Sequence, residues 1–175
     1  ENLPINEAII KEILLEFVII RNKLKKDVYA AFAADGAAKN YTQIIRSYQG
    51  FFAIMMHRLV HELYTRGLIT YAREIQERVH SRTGIDINPG ATIDEYFFID
   101  HGTGVVIGET AIIGKWVQLF QGVTVGALKF KLDKEGRMLK DYKRHPTIGN
   151  HVVIGAGAKL LGNIRIGDNV KIGAN

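Results

Sequence analysis

The 175-residue sequence contains no cysteine, and this absence removes several classes of chemistry at once. Without thiols the chain can form neither a disulfide framework nor a thiolate metal site, and it has no cysteine nucleophile. Any catalytic step must therefore use other side chains. Apolar residues still make up 47% of the chain, so a sizeable core and one or two globular domains are expected.

A long uninterrupted apolar segment is also missing. The most apolar run near the N-terminus, IIKEILLEFVII (9–20), is broken by Lys11, Glu12 and Glu16 and is too short to span a bilayer. No signal peptide is recognisable either. We therefore expect a cytoplasmic protein with no membrane partner.

The charge balance is basic, with 23 Lys and Arg against 18 Asp and Glu and a net charge of +5. The excess lies at 21–26 and between Lys129 and Arg144. Such a balance suits an anionic ligand or a nucleic acid. However, no aromatic-rich recognition module interleaves with these charges, so nucleic acid is not an expected partner. The cluster at 21–26 is interpreted as a solvated face.

Branched aliphatic residues recur at every sixth position over the second half of the chain. They are Ile87, Ile93, Ile99, Ile107, Ile113, Leu119, Val125, Ile148, Ile154, Leu160, Ile166 and Ile172. A period of six fits neither a surface helix nor a half-buried strand, and it is typical of a parallel β-helix. Six residues make a short strand and a turn, and three repeats close one triangular coil. The pattern predicts a β-helix of four coils over 86–175.

Residues 1–85 lack this period and show helical spacing instead, which predicts an α-helical N-terminal domain. The predicted helices are 5–33, 41–64 and 68–82. His57 and His61 have the i, i+4 spacing of a helical metal pair. Two histidines without a HExxH pattern make a weak site, so a structural role is favoured and no metal is expected.

Two interruptions of the β-helix indicate where a site is placed. After Ile99 the next aliphatic stands at 107 instead of 105, so the turn that contains His101 is two residues too long. After Val125 the chain leaves on an excursion loop, 127–145, and returns with Arg144 and His145. Residues that do not serve the stacked core need another reason to be there, and loops on rigid scaffolds commonly carry sites.

Several motifs carry a family resemblance. They are DINPGA (86–91), IDHGTGVVIGET (99–110), GVTVGAL (122–128), KRHPTIG (143–149), GAGAKLLGNIRIG (155–167) and the helical segment 35–58. Together they resemble the serine acetyltransferases, which open cysteine biosynthesis. The resemblance implies a mainly β fold, a left-handed parallel β-helix behind a helical N-terminal domain. It also implies transfer of acetyl from acetyl-CoA, as co-substrate, to the hydroxyl of L-serine, giving O-acetylserine.

The resemblance also implies roles for individual residues. His101 matches the general base and Asp86 the carboxylate that orients it. An imidazole with a pKa near ~6.5 can be neutral and basic at physiological pH, and a carboxylate on its second nitrogen stabilises the imidazolium. The cysteine-free composition is consistent with direct attack by serine on the thioester.

Further matches concern the substrates. The residues that match serine-binding groups are Asp35, Asp100, Arg144 and His145, with Glu109 as a further candidate. A zwitterion needs acceptors for its ammonium and donors for its carboxylate, and this set provides both. The small residues that match the path of the CoA arm are Gly126, Ala127, Ala156 and Ala174. The resemblance further implies a homotrimer or a dimer of trimers with sites between subunits.

The sequence departs from the family pattern at several places. Gly36 replaces the usual proline, Asn88 stands where histidine is common, and the loop 127–145 is unusually long. The sequence stops at Asn175 inside a coil, so further coils and a tail are expected to be missing. Cysteine synthase is an expected partner only through such a tail.

Three other functions remain open on the residues alone. A hexapeptide acetyltransferase for a sugar or antibiotic hydroxyl would share His101 and the coils, although the helical domain argues against it. A γ-type carbonic anhydrase holds zinc with three histidines, but the spacing of His101, His145 and His151 does not match that pattern. A purely structural β-helix predicts regular coils, which the two interruptions contradict.

Overall fold

The repeat positions form twelve short strands in the computed structural model, which describes residues 7–175. The strands are β1 (Asp86–Ile87), β2 (Thr92–Ile93), β3 (Phe98–Ile99), β4 (Val106–Ile107), β5 (Ile112–Ile113), β6 (Gln118–Leu119), β7 (Thr124–Gly126), β8 (Thr147–Ile148), β9 (Val153–Ile154), β10 (Lys159–Leu161), β11 (Arg165–Ile166) and β12 (Lys171–Ile172). They build three parallel sheets: sheet A (β1, β4, β7, β10), sheet B (β2, β5, β8, β11) and sheet C (β3, β6, β9, β12). The chain thus winds through four triangular coils.

Each sheet buries one column of the aliphatic residues that define the repeat. The columns are Ile87–Ile107–Val125–Leu160, Ile93–Ile113–Ile148–Ile166 and Ile99–Leu119–Ile154–Ile172. Every member is at most 6% exposed except Ile166 and Ile172 in the last coil, which are partly exposed. The predicted register and the left-handed parallel β-helix are confirmed.

The turns between sheets stack into three corners of the prism. The CA corner, between sheets C and A, holds 100–105, 120–123, 155–158 and 173–175; the AB corner holds 88–91, 108–111, 127–146 and 162–164; the BC corner holds 94–97, 114–117, 149–152 and 167–170. Since the sheets are occupied by the core, insertions in this fold are placed at corners. The enlarged turn lies at the CA corner and the excursion loop at the AB corner.

Four helices precede the β-helix: α1 (Glu7–Ala34), α2 (Tyr41–Ser47), α3 (Gln49–Thr65) and α4 (Ile69–Thr83). The start of the predicted helix 5–33 lies outside the described residues. The prediction of a single helix over 41–64 is wrong, because the chain is extended at Tyr48, with φ −80° and ψ 117°. The Ser47 hydroxyl donates to the Gln43 carbonyl at 2.6 Å, which competes with continuation of the helix.

The start of α3 also approaches the β-helix very closely. A Cβ at Gly50 would lie 2.1 Å from the carbonyl oxygen of Ile99, so only glycine fits at this contact. The bend at Tyr48 brings Gly50 to this position. It also turns the Tyr48 ring toward the end of α1, where its hydroxyl donates to Asp35.

A buried ion pair ties the helices to the BC corner. The Arg58 guanidinium donates to both carboxylate oxygens of Asp27, at 2.7 and 2.9 Å. It also donates to the carbonyls of Ile93 and Asp94 at 2.9 and 2.8 Å, and Asp27 accepts the Phe97 amide at 2.9 Å. The charges are therefore paired and hydrogen-bonded on both sides, as burial requires.

No helix within 7–175 is long and apolar enough to cross a membrane.

The two histidines of α3 bind backbone carbonyls at the AB corner. His57 Nε2 donates to Ala91 O at 3.1 Å, and His61 Nδ1 lies 2.7 Å from Pro89 O. Nδ1 of His57 is buried without a partner among the described residues. Burial, helped by the charges of His61 and Arg58, lowers the pKa of His57 to about 3. His57 therefore packs as a neutral side chain at neutral pH.

The register makes a direct prediction at Ile113, which is 1% exposed in the middle of its column. Ile113→Asp places an unpaired charge there and should cost at least about 4 kcal/mol, a large share of the roughly 5–15 kcal/mol that stabilises a typical domain. Thermal denaturation followed by circular dichroism measures the loss. Ile112→Asp is the matched control, because Ile112 is 44% exposed on the outer face of the same strand. Equal stability of the two variants would contradict the register.

Acidification from pH 7 to pH 5 should destabilise the fold through His57. Its folded-state pKa lies below the unfolded value of ~6.5, so the unfolded chain binds the proton more readily and stability falls as the pH drops between these values. The expected loss at pH 5 is about 2 kcal/mol. Urea denaturation at both pH values measures this difference.

The pH-dependent loss should shrink by that amount in His57→Gln. It should persist in His80→Gln, a control on α4 whose side chain is 43% exposed. The same pH-dependent loss in His57→Gln and the parent chain would show that His57 is not the titrating group.

Candidate active site

The enlarged turn at the CA corner projects His101 out of the coil. His101, Gly102 and Gly104 all have positive φ, at 57°, 87° and 77°. A Cβ at Gly102 would lie 2.5 Å from Ile85 Cδ1, so the turn depends on glycine there. The Gly102 amide donates to the Asp100 carbonyl at 2.6 Å, which tightens the turn around His101. As a result the His101 side chain is 73% exposed.

Three of the predicted site residues meet beside this turn. Asp35, Asp100 and His101 line an open cavity of about 300 Å³ together with Tyr48 and Gly50. His101 Nε2 lies 3.8 Å from Asp100 Oδ1. Two carboxylates and an imidazole thus face one space that is large enough for a small polar molecule.

The carboxylate of Asp35 is held in its ionised form. The Tyr48 hydroxyl and the Ala37 amide, at 2.8 Å, donate to its two oxygens and lower the pKa of Asp35. The same hydrogen bond raises the pKa of Tyr48 to about 12, so the phenol remains a donor. Asp35 therefore presents a charged acceptor to the cavity at neutral pH.

Asp86 lies next to this turn, and within 7–175 it forms no hydrogen bond or ion pair with His101. Its amide donates to the Val105 carbonyl at 2.9 Å, which fixes it at the start of β1 beside the CA corner. Within 7–175 its carboxylate forms no hydrogen bond or ion pair with the imidazole, and Asp100 is the carboxylate within 4.0 Å of His101. The orienting role of Asp86 stays a prediction.

The remaining predicted polar residues meet at the AB corner. Arg144 donates to Glu109 Oε2, and Tyr64 donates to Glu109 Oε1 at 2.7 Å. The hydrogen bonds from Tyr64 and Arg144 outweigh the opposing effect of burial and lower the pKa of Glu109. Glu109 is therefore an ionised carboxylate whose two oxygens are both engaged.

His145 is held in one tautomer by Thr110. The Thr110 amide donates to His145 Nδ1 at 3.1 Å, and Thr110 Oγ1 lies 2.8 Å from the same nitrogen. Since Nδ1 accepts, the neutral ring carries its proton on Nε2. Burial, with the charges of Arg144 and Lys143, lowers the pKa of His145. His145 thus offers a neutral Nε2–H donor at neutral pH.

Lys143 anchors the end of the excursion loop. Its ammonium donates to the carbonyls of Thr110, His145 and Pro146, at 2.5, 2.5 and 3.0 Å. Sequence reasoning did not single out Lys143, Thr110, Tyr48 or Tyr64. Thr110 and Lys143 lie in quoted motifs, GET and KRHP, but the contacts Lys143–Thr110, Thr110–His145 and Tyr64–Glu109 join residues more than thirty positions apart. No local pattern could have revealed them.

The excursion loop is a basic hairpin with exposed apolar side chains. Leu132 and Met138 form an antiparallel bridge around a turn in which Asp133 accepts the amides of Glu135 and Arg137, both at 2.9 Å. Over 127–145 there are seven Lys and Arg and three Asp and Glu, a net charge of 7 − 3 = +4. The AB corner therefore carries one of the two basic segments of the chain, the other being 21–26.

The small residues expected along the CoA path divide between the two corners. Gly126 ends β7 and Ala127 follows it into the AB corner, whereas Ala156 and Ala174 lie at the CA corner. Ala156 accepts the Asn175 amide at 2.8 Å, so the turns of the last two coils stack on each other at this corner, and the turn 120–123 lies between them and the enlarged turn. These positions leave the backbone of both corners approachable.

The candidate site residues thus form two clusters on one chain. The CA cluster is Asp35, Asp100 and His101, and the AB cluster is Glu109, Arg144 and His145. No hydrogen bond or ion pair joins the two clusters within the described residues, and sheet A lies between their corners. One chain therefore presents the acceptors and the base beside the amino-terminal ends of the sheet A strands and the donors beside their carboxyl-terminal ends.

The histidine trio of the carbonic anhydrase alternative is not assembled on one chain. His101, His145 and His151 lie at the CA, AB and BC corners, and His151 stacks on Trp116 with ring centroids 6.1 Å apart. Among residues 7–175 no group of three or more His, Asp or Glu side chains is placed to hold a metal ion.

Comparison with known proteins points to one family. Residues 145–175 match the family model described as bacterial transferase hexapeptide (six repeats). The chain is 51% identical over 156 residues to the plasmid serine acetyltransferase of Synechococcus elongatus, covering 89% of this chain and 49% of that protein. It is 44% identical over 158 residues to the serine acetyltransferase of Staphylococcus aureus (strain MSSA476), covering 90% of this chain and 69% of that protein.

Solved structures agree with this relationship. A serine acetyltransferase isoform 3 of Entamoeba histolytica, in complex with cysteine, superposes with a TM-score of 0.87 at 54% identity, covering 97% of this chain and 57% of that one. A Neisseria gonorrhoeae serine acetyltransferase in complex with serine gives a TM-score of 0.83 at 38% identity, covering 95% and 65%. The chain spans about half the length of its Synechococcus relative.

Proposed function

Because the chain belongs to the serine acetyltransferase family, we propose that it transfers an acetyl group from acetyl-CoA to the hydroxyl of L-serine. The products are O-acetylserine and free CoA. The observation that carries this proposal is the meeting of Asp35, Asp100 and His101 around one open cavity. That arrangement offers an exposed base beside two carboxylates, which suits a substrate with both a hydroxyl and an ammonium group.

His101 is the general base of the proposed reaction. Its neutral imidazole takes the hydroxyl proton as the serine oxygen attacks the thioester carbonyl, forming the new C–O bond. The tetrahedral intermediate then collapses with cleavage of the C–S bond, and the imidazolium returns the proton to the departing CoA thiolate. Asp100, 3.8 Å away, favours the imidazolium that forms between these steps.

The two clusters provide complementary halves of an amino-acid site. Asp35 and Asp100 accept hydrogen bonds from the substrate ammonium. Arg144 and the Nε2–H of His145 donate to the substrate carboxylate, and His145 does so without adding a second full charge. The small residues Ala156 and Ala174, in the third and fourth turns of the corner that carries His101, leave room for the CoA arm.

A complete site then requires a second chain. The acceptors and the base lie at the CA corner, beside the amino-terminal ends of the sheet A strands. The donors lie at the AB corner, beside the carboxyl-terminal ends of the same strands. A threefold assembly places the CA corner of one protomer beside the AB corner of the next and closes three equal sites. We therefore propose a homotrimer with its sites in the clefts between protomers.

Trimers can pair further through the helical domain. The first half of α1 carries an unusual density of exposed apolar side chains: Ile10, Leu14, Leu15, Phe17, Val18 and Ile19. Such a surface marks an interface more often than a free face. A dimer of trimers would cover it.

Release of CoA from acetyl-CoA tests the proposed reaction. It should depend on L-serine and be much slower with L-homoserine, a simple sugar or no acceptor. His101→Ala should lower turnover by roughly 10²–10⁴-fold, the usual contribution of a general base. His151→Ala is the matched control, because His151 is also an exposed turn residue with φ 57°.

Each alternative has its own result in this assay. Release that occurs only with a sugar acceptor would leave the base in place and refute the serine assignment. Wild-type turnover in His101→Ala would remove His101 from the mechanism. Release with none of the acceptors would refute the proposed reaction.

A further inference from the structure

We propose that Tyr64, on the last turn of α3, is a positioning residue for the substrate carboxylate: it holds Glu109, and Glu109 holds Arg144. This inference rests on the proposed function and adds a residue from the helical domain to the AB half of the site. Neither the repeat pattern nor the motifs assigned any role to Tyr64.

The contacts form a short chain from the helical domain to the guanidinium. The Tyr64 hydroxyl donates to Glu109 Oε1 at 2.7 Å, and Arg144 Nη2 donates to Glu109 Oε2. The Glu109 side chain is 27% exposed and that of Arg144 is 18% exposed, so solvent screens the Glu109–Arg144 ion pair only in part. Each carboxylate oxygen has one donor, which fixes the orientation of the group between α3 and the loop.

The surrounding backbone leaves room for this arrangement. A Cβ at Gly90 would lie 2.9 Å from Glu109 Cγ and 3.0 Å from Tyr64 Cζ, so the two side chains meet directly over a glycine of the first coil. The Tyr64 ring is thereby confined on one side by the first coil of the β-helix. A confined phenol is a better support for a carboxylate than a mobile surface side chain.

Arg144 keeps donors for a ligand in this arrangement. Within 7–175, Nη2 donates to Glu109 and Nη1 donates to the Tyr142 carbonyl at 3.4 Å. The Nε–H and the second N–H of each Nη atom form no hydrogen bond with these residues. The guanidinium has five N–H donors in a fixed plane. Holding one edge of that plane with Glu109 orients the remaining donors toward an incoming carboxylate.

The electrostatics agree with a positioning role. Burial and the hydrogen bond to Glu109 raise the pKa of Tyr64 to about 12. The phenol therefore stays protonated throughout the working range of the enzyme and acts only as a donor. Removing its hydroxyl leaves Oε1 without its donor, which frees Glu109 to rotate and Arg144 to follow.

Steady-state kinetics of Tyr64→Phe test the inference. The KM for L-serine should rise about tenfold, the lower end of what a hydrogen bond to a charged group is worth. The KM for acetyl-CoA and the melting temperature should change little. Tyr71→Phe, the same change on an exposed residue of α4, is the control and should match the parent chain.

A double-mutant cycle with Glu109→Gln shows whether the two residues act together. If Tyr64 acts through Glu109, the double variant should be hardly worse than Glu109→Gln alone. An unchanged KM for serine in Tyr64→Phe, or an equal rise in the KM values for serine and acetyl-CoA, would overturn the inference. It would also be overturned if the effects of the two single substitutions multiplied in the double variant. A parent chain without serine-dependent CoA release would refute the proposed function, and this inference with it.

Discussion

The whole structure depends on one packing constraint, namely that every sixth residue must add an aliphatic side chain to a column. The strands are only two or three residues long, so each contributes few ladder hydrogen bonds and stability comes from stacking. Burying one such side chain contributes roughly 1.5–3 kcal/mol, and the columns repeat this contribution coil after coil. The same constraint leaves no room for functional groups inside the prism. Chemistry is confined to the corners.

This confinement explains why the candidate site is divided. The enlarged turn at the CA corner carries the base and the acceptors, and the excursion loop at the AB corner carries the donors. The helical domain reaches all three corners. Tyr48 holds Asp35 in the cavity beside the CA corner, and Tyr64 holds Glu109 at the AB corner. At the BC corner Arg58 donates to the Asp94 carbonyl and Asp27 accepts the Phe97 amide. The helices therefore hold a carboxylate of each cluster by a tyrosine hydroxyl, Asp35 in the CA cluster and Glu109 in the AB cluster.

The sequence predicted the features that are local and repetitive. The register of the columns followed from the period of six, and both interruptions were recognised as departures from it. The break at Tyr48 was not predicted, because apolar spacing continues across it and the competing contacts are a Ser47 hydroxyl bond and the close approach of Gly50 to Ile99. The roles of Thr110, Lys143 and Tyr64 depend on contacts between distant segments. The site assignments themselves came from resemblance, and the Asp86 role stays a prediction.

The measurement that tests the divided site most directly is complementation between two inactive variants. His101→Ala lacks the base of the CA corner, and Arg144→Ala lacks a donor of the AB corner. If each site joins corners of two chains, coassembly at equal ratio should restore about a quarter of the parent CoA release, since one interface in four combines two intact halves. If one chain supplied both corners of its own site, no mixed assembly would contain an intact site. Activity no higher than the sum of the separate variants would contradict the account.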